Sequence, residues 1–516
     1  MLTEDQDDIL DFLARPETHG LRPGDEVRRI DTHISAVFVA GDDVYKLKRA
    51  VRYSYLDFST AERRRAACEA EVRLNRRTAR PLYHGVVPLV RTVRGDLALA
   101  GPEAGGDGEP VDWLVHMHRF DDDTLFDRLA ADGRLNDALV RRLADTVAGF
   151  HESAEERRDH GGAAGLRWVI ENNAECLGDA PAGLFLAETV AAVNYRSREA
   201  LERVGAALDR RREEGLVRRC HGDLHLRNIC LWEGQPTLFD CIEFSESIAC
   251  IDVLYDLAFL LMDLEHRDLR RFANLVMNRY LLRRRDLDGL VALPLFMATR
   301  AAIKAHVTAS AAETAGPAQQ EKLHEEGRRY LDLAAAILEP QPARLVAVGG
   351  LSGSGKSTLA LALAPLLGGA PGALVARSDE LRKGIMGVGP ETRLGPEGYR
   401  PEVGERVYEA LGRSAFAGLR AGRCVVADAV FARPDERIAI ESAAREAGAT
   451  FTGIWLDAPE TALVERVEGR TGDVSDADAG VVRRQLGYET GRIDWHRIDA
   501  GAGPERVLEA VRTLLG

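Results

Sequence analysis

Hydrophobic and polar residues alternate along residues 28–120 with the period of two that is typical of half-buried strands. The alternation runs through the segments AVFVA, VYKLK, VVPLV, LALA and VDWLVHM. A helical pattern, STAERRRAACEAEVRLNRR, separates the second of these segments from the third. This stretch therefore predicts a small lobe made of a β-sheet and one helix.

From residue 121 to residue 337 the pattern becomes that of amphipathic helices. A loop-and-strand region, CHGDLHLRNICLWEGQPTLFDCIEF, interrupts the helices. The pattern predicts a larger, helical lobe. We therefore assign residues 1–337 to a first domain with two lobes.

Residues 338–344 predict a linker, because their two prolines, Pro340 and Pro342, cannot sit inside a helix. The strand LVAVGG and the helix STLALALAPLL follow, and further strands occur in ALVARSDELRK and RCVVADA. Strands that alternate with helices are typical of a parallel sheet. Residues 345–516 therefore predict an α/β domain.

Length and composition agree with two soluble domains. A chain of 516 residues exceeds what one hydrophobic core usually supports, and its 45% hydrophobic and 29% charged residues are ordinary for a globular protein. No apolar run approaches the roughly 20 residues that span a bilayer. The N-terminus, MLTEDQDDILDF, is acidic where a secretory signal is basic and then apolar. We expect a cytoplasmic protein with no membrane partner.

Charge and cysteine content exclude some functions. A net charge of −14 argues against a protein that coats nucleic acid non-specifically, although a local basic groove can still hold a short strand. The seven cysteines lack the C-x2-C pairs of a zinc site, so reduced and mostly buried thiols are expected. The chain has only six lysines, and Lys46, Lys48 and Lys356 fall in candidate nucleotide motifs.

Residues 350–357, GLSGSGKS, match the phosphate-binding pattern G-x-x-x-x-G-K-[ST] between a predicted strand and a predicted helix. Backbone N–H groups of such a loop surround phosphates, the lysine adds positive charge, and the serine hydroxyl binds Mg²⁺. The residues assigned to ATP binding are Gly350, Gly353, Ser354, Gly355, Lys356, Ser357 and Thr358, with Ser357 also a metal ligand.

Later residues indicate phosphoryl transfer. Asp379 can accept a hydroxyl proton, Arg382 can hold an anionic acceptor, and Asp428 ends a strand where a carboxylate acts on Mg²⁺. Arg466 and Arg470 lie one helical turn apart. Simpler roles, a helix cap, a strand end and a solvated pair, stay open for these residues.

The order of these residues resembles the small P-loop kinases that phosphorylate hydroxyls, a group that includes polynucleotide 5′-kinase and gluconate kinase. The resemblance covers about residues 344–516. It implies that Asp379 is the general base, Arg382 the acceptor-binding arginine and Asp428 the metal-linked carboxylate. It also implies that Arg466 and Arg470 belong to a lid.

The segment HGDLHLRN, residues 221–228, has the spacing of the kinase catalytic loop H-R-D-x-x-x-x-N. Asp223 can orient an acceptor hydroxyl, while Asn228 and Asp240 can hold Mg²⁺. With LFDCIEF and IDVLYDLAFLL, this segment resembles the aminoglycoside phosphotransferase family, which has an α+β, protein-kinase-like fold. The resemblance covers roughly residues 28–335. It implies that Asp223 is the catalytic base, Asn228 and Asp240 are metal ligands, Glu243 is a further carboxylate and Asp256 anchors the lobe.

A kinase of this kind also needs a strand lysine paired with a helix glutamate. Lys46 and Lys48 point to the same face of one strand, and we favour Lys46, because Val44 two residues earlier can pack the adenine. Glu69 and Glu71 are the candidate partners, and we favour Glu71, which precedes the apolar Val72 and Leu74.

Together these features predict a bacterial bifunctional chain in which an aminoglycoside phosphotransferase-like domain precedes a P-loop kinase domain. ATP and Mg²⁺ are the expected cofactors of both. The acceptor is expected to be a small-molecule hydroxyl, such as that of a sugar or amino sugar, or a nucleic-acid 5′-hydroxyl in the P-loop domain. Two alternatives stay open: the first domain is a regulatory or binding module on a P-loop switch, or the P-loop domain is an ATPase coupled to a partner.

Overall fold

The computed structural model describes residues 3–53, 56–100, 108–313, 315–469 and 476–516. The chain divides into two compact units, Met1–Leu166 with Gly205–Asp263, and Arg167–Val204 with Leu264–Gly516. The helices after residue 263 thus belong to the same unit as the P-loop sheet. Among helices in the described ranges, none combines the length and apolarity needed to traverse a bilayer.

The described part of the first 120 residues forms an antiparallel sheet with a helix on each face. Its six strands have the order β1-β2-β3-β8-β6-β7, and a separate hairpin joins β4 to β5. The elements are α1 Asp7–Leu13, β1 Val27–Asp31, β2 Ser35–Ala40, β3 Asp43–Lys48, β4 Arg52–Tyr53, β5 Leu56–Asp57, α2 Ala61–Asn75, β6 Tyr83–Thr92, β7 Leu97–Leu99 and β8 Gly108–His118.

Alternation of side chains along β3 explains why the sheet has a separate hydrophobic cluster on each face. Val44 faces α2 and packs against Cys68 and Val72, whereas Leu47 faces α1 and packs against Leu13. Side chains of period two point to opposite faces of a strand, so each face receives its own hydrophobic cluster. The strand-rich lobe with one internal helix was predicted, but the β4–β5 hairpin was not.

Helices dominate the next segment, with two short antiparallel strand pairs between them. The pairs are β10 with β11 and β9 with β12. The elements are α3 Phe126–Ala131, α4 Asp137–Ser153, α5 Gly162–Gly178, α6 Ala187–Glu213, β9 Val217–Arg219, β10 Ile229–Trp232, β11 Gln235–Leu238, α7 Glu246–Ala249, β12 Cys250–Asp252, α8 Val253–His266, α9 Arg270–Arg284, α10 Leu293–Ala312 and α11 Pro317–Ile337. The β10–β11 hairpin lies within the predicted loop-and-strand region, residues 220–244, whereas β9 and β12 lie on either side of it and were not predicted.

The last segment is an α/β domain around five parallel strands in the order β14-β15-β13-β16-β17. Its central strand, β13, is buried on both faces by apolar side chains, as parallel sheets require. The elements are β13 Arg344–Gly350, α12 Lys356–Leu363, β14 Leu374–Arg377, α13 Ser378–Ile385, α14 Pro401–Arg420, β15 Val425–Asp428, α15 Pro434–Glu446, β16 Thr450–Asp457, α16 Glu460–Glu468, α17 Ala479–Leu486, β17 His496–Asp499 and α18 Pro504–Leu515.

Two asparagines of α9 cover the backbone at the edge strand β14. Asn274 Nδ2 donates to the Ala373 carbonyl at 2.9 Å, and the Val375 N–H donates to Asn278 Oδ1 at 2.7 Å. An added Cβ at Gly372 would lie 2.8 Å from Asn274 Nδ2, so the approach requires a glycine there. An edge strand offers unpaired backbone groups, and α9 satisfies two of them.

Replacing Asn278 by Ala should leave the buried Val375 N–H without its acceptor. The expected cost is about 1–3 kcal/mol of unfolding free energy, measured by urea denaturation followed by circular dichroism. Asn194→Ala in α6 is the matched control, because that side chain takes no part in the contact. Equal stability of the two variants would contradict this account of the edge.

Candidate active sites

Lys46 lies at the centre of the first candidate site. Its Nζ, on strand β3, donates to Glu71 Oε1 of α2 at 2.9 Å and to Asp240 Oδ1 at 2.6 Å. Asp240 follows β11. The contacts bring together three residues that the sequence assigned to phosphate or metal binding.

Lys48 shares the same glutamate. It ion-pairs with Glu71 and Glu243, and 1% of its side chain is exposed, against 13% for Lys46. Of the two lysines, it is Lys46 that also reaches Asp240. Glu69, the other partner considered, pairs instead with Arg65 on the surface.

Glu71 balances the charge of both lysines. Burial opposes its ionisation, but Lys46 and Lys48 outweigh burial and lower the pKa of Glu71 to about 2. Burial also favours neutral lysines, yet the surrounding carboxylates outweigh it and raise the pKa of Lys46 and Lys48. Burial raises the pKa of Glu243, although Lys48 opposes that shift. Glu71 is therefore ionised at neutral pH and fixes two cations.

The loop of residues 221–228 places Asp223 beside Asn228. Asn228 Nδ2 donates to the Asp223 backbone oxygen at 2.9 Å and to its Oδ2 at 2.8 Å. His225 Nε2 lies 3.3 Å from the same Oδ2, and 36% of the Asp223 side chain is exposed. The carboxylate is thus held in place and still accessible, as a base acting on a bound hydroxyl must be.

Asp256 anchors this loop through hydrogen bonds to its backbone. Its carboxylate accepts the backbone N–H groups of His221 and Gly222 at 3.0 and 2.9 Å, and His151 Nε2 lies 3.1 Å from it. Both Asp256 and His221 are fully buried, and burial lowers the pKa of His221 although Asp256 opposes this. The hydrogen bonds confirm the anchoring role predicted for Asp256.

The backbone at Asp240 is held by residues that the sequence did not single out. Asp240 has φ 59°, which is uncommon for a residue other than glycine. Its N–H donates to the Tyr83 hydroxyl at 3.2 Å, and the Cys241 N–H donates to Asn75 Oδ1 at 2.9 Å. Asn75 also donates to the Glu71 carbonyl at 3.0 Å. These partners lie far apart in the chain, so no motif signals them.

Glycines shape the second candidate site, the loop between β13 and α12. Gly350, Gly353 and Gly355 have φ of 137°, 86° and 92°. An added Cβ at Gly353 would lie 2.4 Å from the Leu463 carbonyl oxygen. The Ser354 hydroxyl is buried with no hydrogen-bond partner among the described residues. Close packing of the loop thus excludes a side chain at Gly353.

The first turn of α12 presents Lys356, Ser357 and Thr358. Lys356 Nζ donates to the Leu351 carbonyl at 3.0 Å, so its side chain folds back over the loop. Thr358 is exposed. The first N–H groups of a helix lack intrahelical partners, and with the positive end of the helix dipole they form an anion site.

Ser357 contacts the carboxylate predicted as its metal partner. Its hydroxyl donates to Asp428 Oδ2 at 2.6 Å. Asp428 ends β15, the strand beside β13, and is buried. Adjacent parallel strands therefore bring the loop serine and the acid together, although they are far apart in sequence.

Arg377 is a further polar residue at this site. Its Nε donates to Asp428 Oδ2 at 3.2 Å and its Nη1 to Glu380 Oε1 at 2.8 Å. Burial opposes its charge, but Glu380 and Asp428 outweigh burial and raise the pKa of Arg377. Sequence reasoning used the same segment for Asp379 and Arg382 and passed over Arg377, because nothing in a buried strand pattern shows which polar residue finds a partner.

Asp379 and Arg382 belong to α13, which follows β14 directly. Arg382 Nη1 donates to the Gly398 carbonyl at 2.9 Å, and its guanidinium lies 5.0 Å from the centre of the Tyr399 ring. Its Nε is buried and has no partner in the described part of the chain. Arg382 therefore has one donor that its described neighbours do not satisfy.

Of the two arginines predicted to belong to a lid, the structure describes the contacts of Arg466 but not those of Arg470. Arg466 of α16 donates to the Ala500 carbonyl at 2.8 Å and lies 3.5 Å from the Gly353 carbonyl. Arg470 lies outside the described residues. Asp478 caps α17 by accepting the Val481 N–H. Arg466 is thus placed beside the phosphate-binding loop, held by backbone oxygens.

The fold and the two sites define a class: a protein-kinase-like α+β region with two lobes, followed by an α/β P-loop domain with a parallel sheet. Comparison with known families agrees. Residues 37–293 match the family described as Phosphotransferase enzyme family, and residues 345–490 match the family described as AAA domain.

These family matches confirm the predicted resemblance to a bifunctional chain that joins an aminoglycoside phosphotransferase-like region to a P-loop kinase-like domain, and they agree with the predicted fold class. They support a phosphotransferase that binds a nucleotide. Kinase families of this kind imply the use of ATP and typically of a divalent metal.

Similar proteins of Mycobacterium tuberculosis and Mycobacterium bovis carry no description of function. Each is 29% identical over 491 residues, which is 92% of this chain and 93% of the relative. Among solved structures, a sugar kinase from Janibacter is 24% identical over 34% of this chain and 95% of its own, with a TM-score of 0.26. A choline/ethanolamine kinase family protein from Mesorhizobium loti is 15% identical over 60% and 92%, with a TM-score of 0.34.

Glu71→Gln should remove the charge shared by two buried lysines. Breaking such a pair costs about 3–5 kcal/mol at neutral pH. Because the folded-state pKa is about 2 and the ordinary value 4.5, the stabilisation by Glu71 is complete above pH 4.5 and is lost as the pH falls towards 2. Urea unfolding at several pH values should therefore show the wild-type advantage shrinking over this interval. Glu69→Gln is the control, and a pH-independent advantage would contradict the assignment.

Gly353→Ala should abolish nucleotide binding by the P-loop, because the new Cβ meets the Leu463 carbonyl at 2.4 Å and the glycine has φ 86°. Gly412→Ala in α14 is the matched control, since a Cβ there meets open space. Calorimetric titration with ATP in a Lys46→Ala background, which removes the predicted phosphate-binding lysine of the first site, isolates the P-loop site. Binding that is unchanged by Gly353→Ala would refute this reading of the loop.

Proposed function

We propose that this chain is a tandem ATP-dependent phosphotransferase and that each region transfers the γ-phosphoryl group of ATP to a hydroxyl acceptor. The observation that carries the proposal is that each region holds a group proposed to bind phosphate or Mg²⁺ in contact with a carboxylate. In the first region Lys46 meets Glu71 and Asp240, and in the second Ser357 of the P-loop meets Asp428.

In the first site, Asp223 is the proposed base. A hydroxyl bound at its exposed edge would give its proton to the carboxylate as the oxygen attacks phosphorus. The Asn228 amide restrains Asp223 through two hydrogen bonds, which limits the orientations of that carboxylate. Lys46, fixed by Glu71, is placed to neutralise phosphate oxygens.

In the second site, Asp379 is the proposed base and Arg382 the acceptor clamp. The Nε of Arg382 is buried and has no hydrogen-bond partner among the described residues, which supports an anionic or strongly polar acceptor, because such a donor costs free energy until it is paired. Lys356 and the backbone of the loop are proposed to bind the triphosphate.

Both sites contain the oxygen ligands that Mg²⁺ prefers. Asn228 and Asp240 would supply an amide and a carboxylate oxygen in the first site, and Ser357 and Asp428 a hydroxyl and a carboxylate in the second. The donor sets fit the ion. Bound Mg²⁺ would neutralise charge that develops on the phosphate oxygens.

The proposed acceptors are small-molecule hydroxyls, such as those of sugars or amino sugars, with a 5′-hydroxyl end of a short nucleic acid as a further candidate for the P-loop site. We expect these reactions to take place in the cytoplasm without a membrane partner. A regulatory first domain or a P-loop ATPase would give different products, so labelled transfer separates the possibilities.

The test compares Asp223→Ala and Lys356→Ala in full-length protein with γ-³²P-ATP and a panel of sugars, amino sugars and 5′-hydroxyl oligonucleotides. Loss of a general base should slow transfer at the first site by about 10²–10⁴-fold, and loss of a phosphate-binding cation should slow the second by about 10²–10³-fold. Each variant should retain the labelled products of the other site.

Lys322→Ala, an exposed lysine, is the control and should retain both activities. Loss of all ATP turnover in Lys356→Ala would mean that the first site is silent and would overturn the tandem proposal. Hydrolysis without any labelled acceptor would favour a P-loop ATPase instead.

A further inference from the structure

We propose that Asp43, His84 and His116 form a binding site for one divalent transition-metal ion, with Zn²⁺ as the first candidate. One carboxylate oxygen and one ring nitrogen from each histidine lie within 4.8 Å of one another. Asp43 Oδ1 and His116 Nε2 are 2.6 Å apart, and the rings of His84 and His116 have centroids 4.6 Å apart. Small side-chain rotations convert this cluster into three ligands around one ion.

The site lies on the face of β3 opposite to Lys46 and Lys48, the lysines considered for phosphate binding. Asp43 and Tyr45 alternate with Val44 and Lys46, so Asp43 points away from the candidate active site. His116 pairs with Tyr45 across β3 and β8, and its ring stacks on the tyrosine. The proposed ion is therefore not the metal of phosphoryl transfer.

His84 reaches the cluster through an irregularity in the sheet. The register of β6 against β8 shifts between Tyr83 and Gly85, which leaves His84 as the extra residue of a β-bulge. Bulges redirect a side chain out of the regular alternation. This one brings an imidazole from β6 beside the imidazole of His116.

The chemistry of the three groups selects the ion. Two imidazoles and one carboxylate suit Zn²⁺, Co²⁺ and Ni²⁺ better than Mg²⁺ or Ca²⁺, which prefer oxygen ligands alone. Partial exposure, 45% for the Asp43 side chain and 24% for His116, gives the ion access from solvent and leaves room for a water ligand. His118, whose ring lies 5.8 Å from that of His84, adds a further nitrogen nearby.

A second cluster, His151 with Cys220 and Asp256, does not have these properties. All three residues are fully buried, and both Asp256 oxygens already accept backbone N–H groups of the catalytic loop. Its atoms are therefore committed to holding that loop.

Equilibrium dialysis of the full chain against Zn²⁺, followed by elemental analysis, tests the site. Wild type should bind one Zn²⁺ more than His84→Ala, and the affinity of that ion should fall by more than about 100-fold in His84→Ala and in Asp43→Asn. His84 is exposed, so its loss should not disturb folding. His33→Ala is the matched control and should bind as wild type does.

Co²⁺ supplies an independent reading, because ligation by imidazoles gives visible d–d absorption. Absorption that saturates at one Co²⁺ per wild-type chain and disappears in His84→Ala would support the site. Equal Zn²⁺ stoichiometry and affinity in wild type and His84→Ala, or Co²⁺ spectra that the variant does not alter, would overturn the proposal.

Discussion

The buried carboxylate of Glu71 is the interaction on which the first region depends. Two lysines on one strand face cannot be taken out of water unless a counter-charge lies between them, and Glu71 supplies it from α2. Asp240 and Glu243 extend the network to the segment after β11. The strand, the helix and that segment are therefore fixed relative to each other by charge as well as by apolar packing, and the same contacts position Lys46.

The P-loop domain also contains a buried carboxylate, Asp428, whose charge is stabilised by neighbouring polar residues. Asp428 is buried at the end of β15, where an isolated charge would be costly, and it receives a hydrogen bond from Ser357 and another from Arg377. Arg377 is balanced in turn by Glu380. In both regions a charged residue of the proposed site is held by a partner whose own charge is compensated.

Much of this arrangement could be predicted from sequence, because the responsible patterns are local. Alternation identified β2, β3, β6, β7 and β8 but missed β1, β4 and β5, and the Gly350–Ser357 motif located the turn between β13 and α12. Periodicity could not decide between Lys46 and Lys48, because residues two apart on a strand share a face. The structure gives the two lysines different burial and different second partners, Asp240 for Lys46 and Glu243 for Lys48. The roles of three further residues could not be predicted from the sequence, because their partners are brought close only by tertiary folding. They are Asn75, Tyr83 and Arg377.

Hydrogen bonds between α9 and β14 join the region that matches the phosphotransferase family to the P-loop domain. Helix α9 lies within residues 37–293, which match the phosphotransferase family, whereas β14 lies within residues 345–490, which match the AAA domain family. Asn274 bonds the Ala373 carbonyl immediately before β14, and Asn278 accepts the Val375 N–H within β14. Cutting the chain at residues 338–344 would expose those groups and the edge of the sheet to water or to another chain. The linker read from the sequence thus marks a change of fold, but the hydrogen bonds that complete the P-loop sheet cross it.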